Sequence, residues 1–326
     1  MPRLPRLAGV TAAALALGLL ATAPAAGGEP TVSDPHVVAH FDFAAGQTPE
    51  NIALEPDGSA DLTFAGARQV ANVTRAGVTR ILATLPEVAD PDTPNLGAAV
   101  VLGIARAYDG TLYVNYATGT RETGIWRIAP GGGTPVQIAQ LPSDGLPNGL
   151  ALDERRGVLY AADSVLGTVW RVPVEGGKPT AWVTGAALDP GKVPPASGFG
   201  ANGLRLHHGA VWVSNTDAGS VLRVPVQEDG SAGPIQTRAT GLVGIDDFGF
   251  LERHRDTFLA ALLTADQVAL VRPDGTRTVV LTRQDGLSNP ASVAVRGRTV
   301  YVPSSAFFTM QDPNLLLARV HQRDRG

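Results

Sequence analysis

The chain has 326 residues, of which 44% are hydrophobic and 17% charged, and this globular composition excludes a largely disordered chain. The formal net charge is −4 and there is no basic run, so a nucleic-acid partner is not expected. The absence of cysteine excludes disulfides, a thiol nucleophile and cysteine-ligated metal sites.

The N-terminal segment has the features of a secretory signal peptide. Arg3 and Arg6 precede the apolar run LAGVTAAALALGLLATA, and Ala23-Pro24-Ala25 supplies the small residues of a cleavage site. We therefore predict a signal peptide over residues 1–28 and a mature domain over 29–326 that is secreted and has no membrane attachment after cleavage. The alternative is an uncleaved membrane anchor, for which the apolar run is short.

Six copies of one unit follow in chain order. Each unit has an apolar strand, a turn, a second strand ending in small polar residues, and then two further strands separated by a glycine-rich turn. The copies begin at ENIALEPDGSADLTFAG (50–66), LGIARAYDGTLYVNYA (102–117), NGLALDERRGVLYAADS (148–164), NGLRLHHGAVWVSNT (202–216), DDFGFLERHRDTFLAALL (246–263) and NPASVAVRGRTVYVPSS (289–305). Starts that lie 43 to 54 residues apart match the period of a propeller blade.

The repeat pattern predicts an all-β fold, a six-bladed β-propeller of four-stranded antiparallel blades. A pair of β-sandwiches is the alternative, but it does not explain six in-phase units. The last copy lacks a fourth strand, and the apolar segment HVVAHFDF (36–43) near the N-terminus can supply it. We expect this N-terminal strand to close the ring, which leaves no exposed strand edge.

One position of each unit is expected at the mouth of the central channel. In an antiparallel blade the residue before the innermost strand and the residues after the second strand lie at the same face. The residues before the innermost strands are Glu50, Leu102, Asn148, Asn202, Asp246 and Asn289. Five of the six have side-chain oxygens, which are the ligands of a hard cation. We predict one divalent cation, with Ca²⁺ first and Mg²⁺, Mn²⁺ or Zn²⁺ as alternatives.

Turn formation is the alternative explanation for the Asn-Gly pairs at 148–149 and 202–203, because both residue types tolerate positive φ. It does not account for Glu50, which is a poor turn residue. It also does not account for Asp246, which is followed by a second carboxylate, Asp247. Buried carboxylates need a cation or hydrogen-bond partners, so Glu50, Asn202 and Asp246 are the predicted metal ligands.

A propeller with Glu in blade one, Asn-Gly-Leu in blades three and four and Asp in blade five resembles the regucalcin/gluconolactonase family. The resemblance extends over most of the mature chain through the repeats and is specific at a handful of positions. It implies that Glu50, Asn202 and Asp246 hold one divalent cation. It further implies that Asn148 contacts metal-bound water or substrate and that Asp246 is the general base of lactone hydrolysis.

The sequence departs from that family at two motifs. Pro49-Glu50-Asn51 stands where Glu-Gly-Pro is usual, and Ile245-Asp246-Asp247 stands where Pro-Asp-Gly is usual. The family's substrate-contacting arginine has no evident counterpart near Asn148. The resemblance therefore supports the metal site better than a sugar-lactone substrate.

These observations predict a secreted, metal-dependent hydrolase of a lactone or similar ester. The cation would polarise the carbonyl, Asp246 would act as general base, and Asp247 is the alternative base. The predicted substrate-binding residues are Asn148, Asn289, Asp247, Phe307 and Phe308. The two phenylalanines lie in the loop AFFTMQDPN (306–314), which is expected to overhang the mouth; packing of the rim is the alternative.

The expected partner is a small, partly apolar ester or lactone, and the protein is expected to be a monomer. Two other functions stay open at this point: a non-hydrolytic cyclisation or condensation enzyme, and a non-catalytic ligand-binding propeller with structural calcium. His207 and His208 are expected to be solvated turn residues on the opposite face.

Overall fold

The computed structural model describes residues 30–191, 197–251 and 256–321, and the predicted signal peptide lies outside these ranges. The first twelve strands are β1 (Thr31–His40), β2 (Pro49–Leu54), β3 (Ala60–Phe64), β4 (Gln69–Val73), β5 (Thr79–Thr84), β6 (Val100–Arg106), β7 (Leu112–Ala117), β8 (Gly124–Ile128), β9 (Val136–Gln140), β10 (Pro147–Asp153), β11 (Val158–Asp163) and β12 (Thr168–Pro173). The next twelve are β13 (Thr180–Thr184), β14 (Ala201–His207), β15 (Ala210–Asn215), β16 (Ser220–Pro225), β17 (Gln236–Ala239), β18 (Ile245–Phe250), β19 (Phe258–Leu262), β20 (Gln267–Val271), β21 (Arg277–Thr282), β22 (Ala294–Arg296), β23 (Thr299–Ser304) and β24 (Asn314–His321).

The strands form six four-stranded antiparallel sheets, which confirms the predicted six-bladed β-propeller. Five blades are built from consecutive strands, starting at β2, β6, β10, β14 and β18. The sixth has the order β1-β24-β23-β22, so the N-terminal strand is its outermost strand. This confirms the predicted ring closure, although the strand runs over Thr31–His40 and not over 36–43.

Aspartate-glycine turns join neighbouring strands in several blades. In each, the aspartate Oδ1 accepts the backbone N–H of a serine or threonine two residues later, and the glycine between them has a φ between 81° and 93°. A positive φ of this kind favours glycine, and the carboxylate bond closes the turn. The four aspartates are Asp57, Asp109, Asp229 and Asp274.

Six apolar clusters hold the ring together, one between each pair of neighbouring blades. The cluster between blades four and five, for example, contains Trp212 and Phe248, both fully buried. The second strand of most blades is therefore buried along its whole length, as in β3, β7 and β11, which explains why these sequences are apolar runs with little alternation, whereas outer strands such as β5 and β13 are largely exposed. Within the described residues, no helix has the length and hydropathy of a membrane span.

Candidate metal centre

The inner strands share one irregularity near their first residues. In blade three Pro147 pairs with Asp163 and Leu150 pairs with Ala161, so that Asn148 and Gly149 together face one residue of β11. This is a β-bulge, which re-aims the side chain at its first position. The equivalent pairs in the other blades are Glu50-Asn51, Leu102-Gly103, Asn202-Gly203 and Asp246-Asp247, with Ala291-Ser292 in blade six.

The Asn-Gly pairs belong to these bulges and do not form turns. Neither Asn148-Gly149 nor Asn202-Gly203 has a positive φ. A Cβ on Gly149 would lie 2.4 Å from Asn202 O, and a Cβ on Gly203 would lie 2.4 Å from Asp247 Oδ1. Glycine is therefore required because the next blade's backbone or side chain approaches too closely for a side chain.

Side chains on the second strands support the bulges. Thr63 Oγ1 accepts the Asn51 N–H at 3.0 Å, and Ser214 Oγ accepts the Gly203 N–H at 2.7 Å. Ser214 also donates to the Asp246 carbonyl at 2.5 Å, which joins blade four to blade five. These bonds replace the ladder bonds that a bulge interrupts.

The first bulge position places four predicted residues at the channel mouth: Glu50, Asn148, Asn202 and Asp246. Each is only 3% to 7% exposed. Among the described residues, Glu50 Oε2, Asn148 Oδ1 and Asn202 Oδ1 have no hydrogen-bond partner. A buried oxygen without a donor is costly, so these atoms indicate a missing electrophilic partner. Carboxylate and amide oxygens of this kind fit a hard divalent cation.

The acidic groups of the mouth are close enough to influence one another. Burial raises the pKa of Glu50 well above its usual value, and the charges of Asp246 and Asp247 raise it further. Burial and the Asp247 charge likewise raise the pKa of Asp246, while a hydrogen bond from Asn202 opposes that rise. Asn202 is itself oriented by Thr216 Oγ1, which accepts from Asn202 Nδ2 at 2.8 Å. Without a cation, the ionised forms of these acids are disfavoured.

Asp247 occupies the second bulge position and is held by donors from three other blades. Its Oδ2 accepts hydrogen bonds from Arg205 Nη2, from Ser292 Oγ at 2.6 Å and from Asn51 Nδ2 at 3.2 Å. Its Oδ1 accepts the Phe248 N–H at 2.8 Å. Asp247 therefore lies in a saturated network beneath the mouth, whereas Asp246 is hydrogen-bonded by Asn202 and close enough to Glu50 to raise the pKa of that carboxyl.

Arg205, which was not among the predicted site residues, contacts this group of side chains through Asp247 and Ser292. It lies on the inner strand of blade four, and its side chain is 19% exposed while that of Asp247 is 2% exposed. The signal for it was present, because a charged residue interrupts the apolar inner strand NGLRLH. An arginine in the middle of a buried strand needs an anionic partner, and the adjacent aspartates of blade five supply one.

Asn289 lies outside the set at the mouth. Blade six begins with the bridge between Pro290 and Ser304, so its register position is that of Ala291. The Asn289 amide donates to Asp266 Oδ1 at 3.1 Å and accepts the N–H groups of Phe308 and Thr309, each at 2.9 Å. Asn289 therefore orders the loop that follows β23.

That loop presents Phe307 and Phe308 to solvent, with 39% and 67% of their surfaces exposed. The buried apolar side of the mouth comes from other residues. Leu102, the bulge residue of blade two, packs with Val100 and Leu146, and Val165 and Phe199 pack against them while remaining half-buried. Blades two to four thus supply an apolar side, and blades one, three, four and five supply the oxygens.

A second acidic and imidazole cluster lies at the opposite end of the ring. His207, His208 and Asp256 each bring one potential metal-ligand atom within 4.8 Å of the others. The prediction that both histidines are solvated is wrong for His207, which is buried and stacks on Phe250 with 3.7 Å between ring centroids. The described residues thus contain two groups of potential metal ligands, one with imidazole nitrogens at this end of the ring and one with only oxygens at the mouth.

The sequence matches no protein-family model and no curated protein. Solved structures, in contrast, match over most of the chain. A calcium-binding protein, regucalcin, from Agrobacterium tumefaciens has a TM-score of 0.63 at 15% identity, covering 90% of this chain and 96% of its own. A gluconolactonase candidate has a TM-score of 0.61 at 17% identity, with 92% and 94% covered. The PQQ-bound aldose sugar dehydrogenase of Streptomyces coelicolor has a TM-score of 0.62 at 15% identity, with 90% and 99% covered.

These proteins share the fold. The presence of regucalcin and a gluconolactonase candidate among them agrees with the family resemblance drawn from the sequence. At identities of 15% to 17% the likeness establishes the architecture and leaves activity to be argued from the site itself.

Proposed function

We propose that the protein is a secreted, metal-dependent hydrolase of a lactone or similar ester, with one divalent cation at the channel mouth. The observation that supports this most is the group of buried oxygens without donors on Glu50, Asn148 and Asn202. Asp246 adds a carboxylate whose charge raises the pKa of Glu50. Secretion is supported by the N-terminal sequence features described above.

The ligand set favours Ca²⁺. Glu50, Asn202 and Asp246 would hold the ion, and this mixture of two carboxylates with one amide oxygen suits calcium, which accepts six to eight oxygens in irregular geometry. The bound cation would supply Lewis-acid polarisation of the ester carbonyl and stabilise the negative charge that develops on its oxygen.

The protein's own groups would divide the remaining tasks. Asn148 has a buried side-chain oxygen without a donor at the equivalent bulge position, and it would orient substrate or water. Asp246 would accept the proton of the attacking water. Asp247 is excluded from that role because its Oδ2 already accepts from three donors, one of them a guanidinium.

The apolar side of the mouth supports a partly apolar substrate. Leu102 stands at a position where other blades carry Glu, Asn or Asp, and the half-buried Val165 and Phe199 pack against the same cluster. A free sugar acid needs polar partners around its hydroxyl groups, which this side does not offer. An aliphatic lactone or ester would place its carbonyl oxygen toward the bound cation and its chain toward blades two to four.

Metal binding and turnover on purified protein test the proposal together. Calcium binding is measured by calorimetry on chelator-treated protein, and hydrolysis is measured on a panel of aliphatic and sugar lactones with and without calcium. We expect Glu50→Gln to lower both calcium affinity and hydrolysis by about 100-fold or more, since a ligand charge is lost. The matched control Glu228→Gln, at an exposed turn, leaves both unchanged.

The two failures have different meanings. A protein that binds calcium but hydrolyses no ester on the panel would be a ligand-binding propeller with a structural ion. A protein that binds no divalent cation would overturn the metal centre itself.

A further inference from the structure

Beneath the mouth, one buried ion pair connects four blades. Arg205 of blade four donates to Asp247 of blade five and to Ser292 Oγ of blade six at 3.0 Å. Asn51 of blade one donates to the same carboxylate at 3.2 Å. Asn51, Asp247 and Ser292 all occupy the second position of their bulges, directly after the mouth residues.

Arg205 and Asp247 form a buried ion pair that brings no net charge to this layer. Asp247 accepts four hydrogen bonds, three of them from N–H groups of Arg205, Asn51 and Phe248. The guanidinium is the only one of these donors that carries a charge, and it balances the carboxylate. Above this neutral pair, the mouth has two further carboxylates, Glu50 and Asp246. A divalent cation matches their combined charge of two.

We propose that Arg205 determines the charge of the cation that the mouth selects. This rests on the proposed metal centre. Asp247 directly follows the proposed ligand Asp246, so the chain has an extra carboxylate next to its ligands, and Arg205 cancels that charge. Without the guanidinium, the charge of Asp247 would add to those of Glu50 and Asp246 in the electrostatic field at the ion, and a trivalent cation would be favoured over a divalent one.

A purely structural function of the pair makes a different prediction. If Arg205 and Asp247 only connected blades, removing either one would loosen the site and weaken every cation similarly. If they set the charge at the site, removing the positive charge of Arg205 and removing the negative charge of Asp247 would shift the preference for trivalent over divalent ions in opposite directions. Removing both charges would leave the preference unchanged. The sign of the effect therefore separates the two explanations.

The experiment compares Ca²⁺ with Tb³⁺, which has a similar radius and one more charge. Calorimetry on metal-free protein gives the ratio of the two affinities for wild type, Arg205→Met, Asp247→Asn and the double variant. We expect Arg205→Met to shift the ratio toward Tb³⁺ by about tenfold or more, because a unit charge a few ångströms away acts strongly in a protein interior. Asp247→Asn shifts it toward Ca²⁺, and the double variant returns to within about threefold of wild type.

Arg205→Lys keeps the charge and controls for packing, so its ratio stays near that of wild type. Shifts of the same sign in both single variants, or a ratio that no variant changes, would overturn the proposal. If wild type binds neither ion, the proposed metal centre fails as well.

Metal binding without ester hydrolysis would refute only the proposed hydrolase activity, and the proposed function of Arg205 would still hold. Folding of each variant is checked by circular dichroism, and the double variant keeps the comparison informative if one single variant unfolds.

Discussion

Asp61 shows how burial alone sets the chemistry of a residue in this propeller. It is fully buried on β3, and its Oδ2 has no hydrogen-bond partner within the described part of the chain. Burial raises its pKa to about 7, with a further contribution from the neighbouring Glu55 carboxyl. Asn72 Nδ2, which donates to Asp61 Oδ1 at 2.8 Å, only partly offsets this.

We predict that Asp61→Asn stabilises the protein at pH 8 but not at pH 4. The pKa of Asp61 is higher in the folded state than its unfolded value of 3.8, so wild type loses stability as the pH rises from about 4 to about 7. The amide keeps the Asn72 bond and is never charged. Urea unfolding should show a gain of a few kcal/mol that grows across this window and is constant above it.

Asp57→Asn is the control for that experiment, because Asp57 is exposed and its bonds to Ser59 lower its pKa. It should give no gain at pH 8. Equal free energies of unfolding for Asp61→Asn and wild type at pH 8 would show that the buried carboxyl is not destabilising.

A second pH prediction concerns the mouth. The pKa values of Glu50 and Asp246 are raised in the metal-free protein, so its stability falls as the pH rises above the usual carboxyl range. A cation that binds only the folded state stabilises it, and protons compete for the same oxygens. We expect saturating Ca²⁺ to raise the melting temperature more at pH 8 than at pH 5. The same increment at both pH values would contradict carboxylate ligation.

The sequence was sufficient to find four of the mouth residues because the repeats align them. Glu50, Asn148, Asn202 and Asp246 occupy one register position in four blades. In blade six the repeats pointed to Asn289, which lies two residues before Ala291, the residue at the first bulge position. Pro49, Pro147 and Pro290 each precede the first bulge residue, so the prolines and not the asparagine marked the register.

At the scale of elements, the bulge connects the repeat to the site. One extra residue in each inner strand turns the first bulge side chain toward the channel and brings the second against the next blade. Sequence periodicity cannot show this, because a bulge changes strand pairing without changing the apolar pattern. Arg205 was not predicted because its partner Asp247 lies 42 residues further along the chain and meets it only through the packing of blade four on blade five.

We predict that Gly149→Ala destabilises the protein by about 2 kcal/mol or more, since its Cβ would lie 2.4 Å from Asn202 O. Moving Asn202 should also weaken calcium binding. Urea unfolding and calorimetry measure the two effects. Gly297→Ala is the comparison, because its Cβ meets nothing within 4 Å and only its φ of 59° costs about 1 kcal/mol. A larger loss at Gly297 than at Gly149 would contradict the close packing of blades.

At the scale of the whole molecule, closure of the ring depends on one strand. β1 pairs with β24 from Thr31–His321 to His40–Asn314, so it covers the outer edge of blade six. The sequence predicted this because the last repeat is one strand short. It could not give the strand's start, since Pro35 interrupts the segment and the pairing continues beyond it through a register shift.

We predict that a chain beginning at Phe41 melts about 10 °C or more below one beginning at Pro30, and that it self-associates through the bare edge of β24. Thermal unfolding and light scattering measure these effects. The chain beginning at Pro30 keeps every described contact and serves as the control. A monomeric, equally stable shorter chain would show that β1 does not hold the ring closed.

The pairing of β1 with β24 also imposes an order on biosynthesis. Thr31 leaves the ribosome about 290 residues before His321, its partner in blade six. At about 5 to 20 residues per second, the first strand waits roughly 15 seconds to one minute for its neighbour. Blades one to five can fold as they emerge, whereas the ring closes only after β24 has been synthesised. A chain of this design can therefore stay open until that strand arrives.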